Sequence, residues 1–147
     1  MTHQAWLSLG ANLGDPPAQL REAVRRIEAH PQLRVTAQSQ LVMTTAWGKT
    51  DQPDFCNMAV TVETELQPLP LLETLLSIEA EMGRHRLEKW GPRVIDIDII
   101  AYDRLVLNTA NLTLPHPFAH ERAFVLEPLA EIAPDVRGWV IEMRKRG

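Results

Sequence analysis

Two aspartates one residue apart, Asp96 and Asp98, sit in the run WGPRVIDIDII (Trp90 to Ile100) among β-branched neighbours. Successive side chains of a strand point to opposite faces, so Ile95, Ile97 and Ile99 enter a core while both carboxylates project from the other side. Two residues of strand rise separate them by about 6 to 7 Å. Ionised carboxylates that close repel each other unless a cation lies beside them, and hard oxygen donors of this kind suit Mg²⁺. The same alternation also describes a strand with a plain solvated face. Arg84, His85, Arg86, Lys89 and Arg93 crowd the stretch just before the acids, and planar guanidinium groups match phosphate oxygens.

Further polar candidates lie elsewhere. Asn57 opens a strand on the side away from Met58 and Val60, where its amide offers both donors and an acceptor; a turn asparagine is the other reading of it. Glu79 flanks the apolar stripe of a helix, where a surface carboxylate is the ordinary expectation. His116 sits in the proline-broken LTLPHPF segment. Gly10 and Gly14 around Asn12 invite a phosphate-loop reading, but the Lys and Ser or Thr of a Walker motif are missing, and a backbone turn fits better.

The elements that must hold these residues follow from periodicity. Ala5 to Leu9 reads as a strand running into a turn from Gly10 to Asp15, and Asp15 can cap a helix that begins at Pro16 and Pro17 and ends at His30 and Pro31. Leu33 to Thr45 alternates as one long strand, Ala46 to Phe55 is a loop, and Asn57 to Leu66 alternates again. A second helix runs from Pro68 to Gly83 with Leu71, Leu75, Ile78 and Met82 as its stripe. The acidic strand continues through Tyr102, and Asp103 and Arg104 turn it into a hairpin with Leu105 to Leu107. Short helical turns occupy His120 to Ala133. Strand, helix, strand, strand, helix, strand is the split βαβ order of ferredoxin-like folds. The expected fold is α+β, one mostly antiparallel sheet with helices on one face, in a single domain spanning residues 1–147.

Composition narrows the function classes. The chain has 147 residues, 45% hydrophobic and 23% charged, a globular balance. Its net charge of −4 argues against a general nucleic-acid or anionic-membrane surface. No apolar run has the length of a bilayer span and the start lacks a signal peptide's features, so a cytoplasmic location is expected. The lone Cys56 has no disulfide partner within the chain and reads as packing.

The run KWGPRVIDIDII, preceded by IEAEMGRHR, resembles the signature of the 6-hydroxymethyl-7,8-dihydropterin pyrophosphokinases of folate biosynthesis. The segments LSLGANLGD, WGKTDQPDFCN and LPHPFAHERAFVLEPLAEIAPD extend the resemblance over nearly the whole chain. It implies diphosphate transfer from ATP to a pterin alcohol by a monomer that acts on small molecules. By that resemblance Asp96 and Asp98 would hold two Mg²⁺ ions, and Arg86 and Arg93 would act with them in catalysis. Glu79, Arg84, Arg86, Lys89, Trp90, Arg93, Ile99, Thr113, His116 and Arg122 would meet ATP. Thr44, Trp47, Asn57 and Trp90 would meet the pterin, with Phe55 and Phe124 on its two faces. The chain departs from the family's usual pattern at Thr44 to Trp47, at Leu76 where Gln is familiar, and at Pro117 where Tyr is common. The rival readings are an RNA-binding module and a metal-dependent phosphohydrolase; the acidic charge and the lack of an aromatic RNA-binding strand oppose the first. The second lacks an evident water-activating His or Glu next to the pair, with His116 the one candidate for that role.

Overall fold

Strand β1 (His3–Ala11) runs up the middle of a sheet in the order β2-β4-β1-β5, in which β2 spans Leu33–Gln38, β4 Phe55–Thr64 and β5 Asp96–Tyr102. A short β3 (Val42–Thr44) also pairs with β4, and every pairing among the described residues is antiparallel. The computed structural model describes residues 2–44, 55–83 and 95–146. Helix α1 (Pro16–Ala29) links β1 to β2 and α2 (Pro68–Glu81) precedes β5, which completes the ferredoxin-like α+β arrangement. A two-stranded ribbon follows, β6 (Leu107–Asn108) with β7 (Thr113–Leu114), then a 3₁₀ turn (Ala119–Glu121), α3 (Ala123–Ile132) and α4 (Pro134–Arg146).

Alternation along the strands sorts residues into two cores. Leu7 and Leu9 of β1, Met58, Val60 and Val62 of β4, and Ile97 and Ile99 of β5 pack against Leu20 and Ile27 of α1 and Leu71 and Leu75 of α2. On the other face Trp6, Ala59, Ile100 and Ala101 meet Val125 and Leu129 of α3 and Val136 and Val140 of α4. Helices therefore cover both faces, not one as the pattern suggested. A register shift between Trp6 and Leu7 lets the consecutive Ile100 and Ala101 both serve the second core. Asp15 caps α1 as expected, accepting the Ala18 N–H at 3.3 Å beneath prolines at the first turn.

Four boundaries depart from the periodicity reading. Gly10 and Ala11 belong to β1, and Phe55 to β4, because each is paired across the sheet. The long strand from Leu33 breaks into β2 and β3 at Ser39, which exchanges backbone bonding for a side-chain one: its N–H donates to Ala59 O and its hydroxyl accepts the Ala59 N–H, both at 2.9 Å. Next to it the Gln40 N–H donates to the Glu131 carboxylate at 3.0 Å. The hairpin forms one step later than Asp103 and Arg104 implied, between β6 and β7, since Asp103 instead accepts the Gln4 N–H at 3.0 Å in the left-handed region (φ 48°). Helix α4 is an addition: Val136 and Val140 recur at helical spacing, but Gly138 and the charged end dilute the signal.

Leu9 is fully buried between Met58 and Ile97, its neighbours on either side in the sheet. Leu9→Ala should lower the unfolding free energy in urea by about 2 to 5 kcal/mol; an unchanged midpoint would mean that this row is not the packed centre described.

Candidate functional site

One cross-strand row carries the site. Val42 of β3 pairs with Asn57 of β4, Asn57 with Gly10 of β1, and Gly10 with Asp96 of β5. Partners in a row share a face of the sheet, and strands lie about 4.8 Å apart, so Asn57 and Asp96 are about 10 Å apart at Cα with only a glycine between. The next row in the same direction runs Ala59, Ser8, Asp98. Both aspartates therefore flank small residues and project over the sheet face opposite α1 and α2, half-buried, while Ile97 and Ile99 are buried behind them. The expected division of this strand holds: acids on one face, isoleucines on the other.

Gly10 is a gap with a steric reason. A Cβ there would stand 2.7 Å from Asn57 Oδ1, closer than packed atoms come. The Asn57 side chain thus lies partly across the space above Gly10. Asn57 is only 4% exposed, and its Nδ2 is buried without a hydrogen-bond partner. A buried amide donor left unmade costs about 1 to 3 kcal/mol, which a ligand acceptor at that point would recover. Two residues along from Asn57 on the same face, Phe55 pairs with Thr44 and shows 37% of its surface. The β4 end of the row therefore offers an aromatic face, a hydroxyl and an amide.

The far side of the site comes from α3 and the segment before it. Phe124, in the first turn of α3, is 39% exposed. The Arg122 guanidinium lies 5.9 Å from the Phe124 ring centre and 5.7 Å from that of Phe118, sandwiched between two aromatic faces. His116 donates its backbone N–H to Ile100 O at 2.9 Å, which docks this segment on β5. Its Nδ1 accepts the Phe118 N–H at 3.1 Å, so the neutral ring carries its proton on Nε2. Burial, and then the charges of Arg122 and Arg144, lower the His116 pKa to about 4. Arg144, which the sequence reading passed over, donates to Pro115 O from α4, and its Nε is buried without a partner. Thr113 lies at the start of this segment in β7.

Two residues stand differently from expectation. Glu79 is not a surface carboxylate: it is 3% exposed, and its Oε2 accepts the Ile97 N–H at 2.6 Å. The Ile99 side chain is buried in the α1 and α2 core, away from the aspartate face. Since the Ile97 N–H points away from β1, ladder alternation turns the Ile99 amide and carbonyl to the same outer edge, where backbone and not side chain is on offer. Trp47, Arg84, Arg86, Lys89, Trp90 and Arg93 lie outside the described residues. Gly10 could have been found as part of the site from LSLGA, since a glycine inside a strand pattern marks close approach. Among the described residues no group of three or more His, Cys, Asp or Glu could hold a metal ion. The carboxylates of Asp96 and Asp98 are a donor set that suits Mg²⁺, which keeps several waters and takes one or two carboxylates plus substrate phosphates.

Residues 6–134 match the family model of 7,8-dihydro-6-hydroxymethylpterin-pyrophosphokinase. A relative named 2-amino-4-hydroxy-6-hydroxymethyldihydropteridine pyrophosphokinase in Methylorubrum extorquens is 54% identical over 133 residues, 90% of this chain and 84% of its own. A relative of the same name in Bacillus subtilis is 44% identical over 92% of this chain and 81% of its own. The fold is similar to that in a crystal structure of Plasmodium falciparum HPPK-DHPS with pteroate, at a TM-score of 0.74 and 16% identity. That alignment covers 99% of this chain and 43% of the longer one.

The lowered pKa of His116 has a direction that can be checked. Unfolded, the ring takes a proton near its ordinary value of 6.5; folded, it resists until about 4. Its stabilising contribution is therefore full above about pH 6.5 and is lost as pH falls toward 4. In urea unfolding, the stability difference between the parent and His116→Asn should narrow or reverse from about pH 7.5 to about pH 4.5. Parallel profiles would contradict the buried, neutral ring.

Proposed function

The chain belongs to the 7,8-dihydro-6-hydroxymethylpterin-pyrophosphokinase family, and from that membership we propose that it transfers the terminal diphosphate of ATP to the hydroxymethyl group of 6-hydroxymethyl-7,8-dihydropterin. The products are the pterin diphosphate and AMP. The observation that carries this reading is the row Asn57, Gly10, Asp96: a heterocycle-edge donor at one end, a phosphate-metal platform at the other, and between them a glycine whose missing side chain makes room for the Asn57 amide.

The pterin takes the β4 end. Asn57 Nδ2 gains the acceptor it lacks, and the flat ring stacks on Phe55, with Thr44 as its cross-strand neighbour, and on Phe124. Trp47 and Trp90 join this group by their motif positions. The hydroxymethyl group then points along the row toward Asp96. ATP takes the β5 side, its base against the outer backbone edge at Ile99 and its phosphates over the acids. Neutral His116, through Nε2–H, and Arg122 donate to phosphate oxygens, with Thr113 beside them and Arg84, Arg86, Lys89 and Arg93 supplied by the basic run.

The hydroxyl oxygen attacks the β-phosphorus in line, the bond from that phosphorus to the oxygen of AMP breaks, and the hydroxyl proton is released. Such transfer needs positioning and charge neutralisation more than covalent help. Asp96 and Asp98 would hold two Mg²⁺, which when bound neutralise the transferring phosphates and polarise the attacking oxygen. Closure of the surrounding groups over both substrates would exclude water, the competing acceptor. The ATP-only hydrolase reading gains no support from Glu79, a buried acid whose carboxylate accepts the Ile97 N–H.

Incubation with ATP, Mg²⁺ and the pterin alcohol should yield AMP and pterin diphosphate in equal amounts, read by chromatography. ATP consumed without pterin would instead support the hydrolase, and no AMP at all would sink the proposal. Asp96→Asn and Asp98→Asn should each cut turnover by at least about a hundredfold while leaving pterin affinity nearly unchanged. Near-normal turnover of either variant with Mg²⁺ would remove the carboxylates from the reaction.

A further inference from the structure

Strand β5 is the edge of the described sheet, paired to β1 on one side alone. An edge strand presents alternate N–H and C=O groups with no ladder partner, and one such group lies between the two aspartates. That group, the Ile97 N–H, is bonded to the Glu79 carboxylate at 2.6 Å, and Glu79 is only 3% exposed. Ladder alternation turns the backbone of Asp96 and Asp98 to Gly10 and Ser8 of β1. The short segment that bears both acids is thus gripped from two sides, by the ladder at the acids and by a helix carboxylate at the residue between them.

Burying a carboxylate is expensive, and a sheet edge can satisfy an outward amide with water at less cost. Glu79 follows Ile78, a core residue of α2, and α2 packs against β5, so the bond ties a rigid helix to the middle of the acid pair. A charged acceptor on an amide is also shorter and stronger than a neutral one, which suits it to fixing a strand's position. With the acids on alternate residues, a shift of this amide moves both carboxylates together.

We propose that Glu79 is a positioning residue for the Asp96–Asp98 pair: by holding the Ile97 amide it fixes where both carboxylates stand for a divalent cation, and it does not itself touch the nucleotide. This rests on the reading of the pair as the divalent-cation site. It departs from the nucleotide contact that the family resemblance implies for Glu79. Outer partners of this kind typically change metal affinity by about ten- to a hundredfold when removed.

The test uses the full chain with Mn²⁺ as the probe, titrated with a non-hydrolysable ATP analogue present and followed by electron paramagnetic resonance, alongside binding of metal-free AMP. Glu79→Met keeps the side chain's shape without an acceptor; Glu79→Gln keeps an acceptor oxygen without the charge. The expected result is Mn²⁺ affinity about ten- to a hundredfold weaker in the Met variant and within about threefold of the parent in the Gln variant, with AMP affinity unchanged in both. Equal Mn²⁺ affinity in the parent and the Met variant overturns the proposal, as does an equal loss in both variants. Loss of AMP affinity overturns it in favour of direct nucleotide contact. Absence of Mn²⁺ binding by the parent overturns the cation reading of the acid pair as well, and Asp96→Asn, measured in the same way, separates the two.

Discussion

The antiparallel register of β1 against β4 on one side and β5 on the other is the constraint on which everything else depends. It carries Asn57, Gly10 and Asp96 into one row and Ser8 and Asp98 into the next. Because strand side chains alternate with period two, a slip of one residue on β4 or β5 would send the amide or the acids into the α1 and α2 core. The core guards against that slip: Leu7, Leu9, Met58, Val60, Ile97 and Ile99 fill the opposite face and have no tolerable place on the site side. The site is exact because its reverse is greasy.

Around that register the molecule places polar groups in or near the interior. Asn57 keeps a buried donor without a partner, Glu79 keeps a carboxylate inside, and the half-buried His116 is held neutral by burial and by the charges of Arg122 and Arg144. The proposed reading gives each a ligand-facing or strand-fixing task. The aromatic residues follow the same logic. Phe55 and Phe124 remain over a third exposed although each is attached to a well-packed element, which suits the stacking proposed for them. Arg104, by contrast, is sandwiched between Trp6 and Trp139 and ties α4 to the sheet, a purely architectural use of the same cation-aromatic chemistry.

Much of this was legible in the chain. The period-two run at Asp96 to Ile99 specified both faces of β5, the prolines and Asp15 located α1, and the strand-helix order specified the ferredoxin-like sheet. The motif WGPRVIDIDII pointed to the family that the whole-chain comparisons show. What stayed hidden is non-local. No local pattern says that Gly10 faces Asn57, because that fact belongs to the pairing of β1 with β4. Glu79 sits four residues after Leu75 of the apolar stripe, which hinted at burial, yet the amide it serves is on a strand 18 residues away. The break at Ser39 required the Ala59 backbone, and Arg144 required α4 to fold back toward His116.

The central claim is that the missing side chain at Gly10 lets the Asn57 amide sit between a pterin pocket and a phosphate platform, and Gly10→Ala tests it most directly. The added methyl would stand 2.7 Å from Asn57 Oδ1, so the amide must move out of its place while the acids and the outer edge of β5 are left alone. With the fold verified by circular dichroism, calorimetric titration should show pterin affinity reduced by at least about tenfold, or roughly 1.4 kcal/mol, and affinity for an unreactive Mg²⁺-ATP analogue within about twofold of the parent. Pterin affinity equal to that of the parent would contradict the account, because the row would then not be where the two substrates meet.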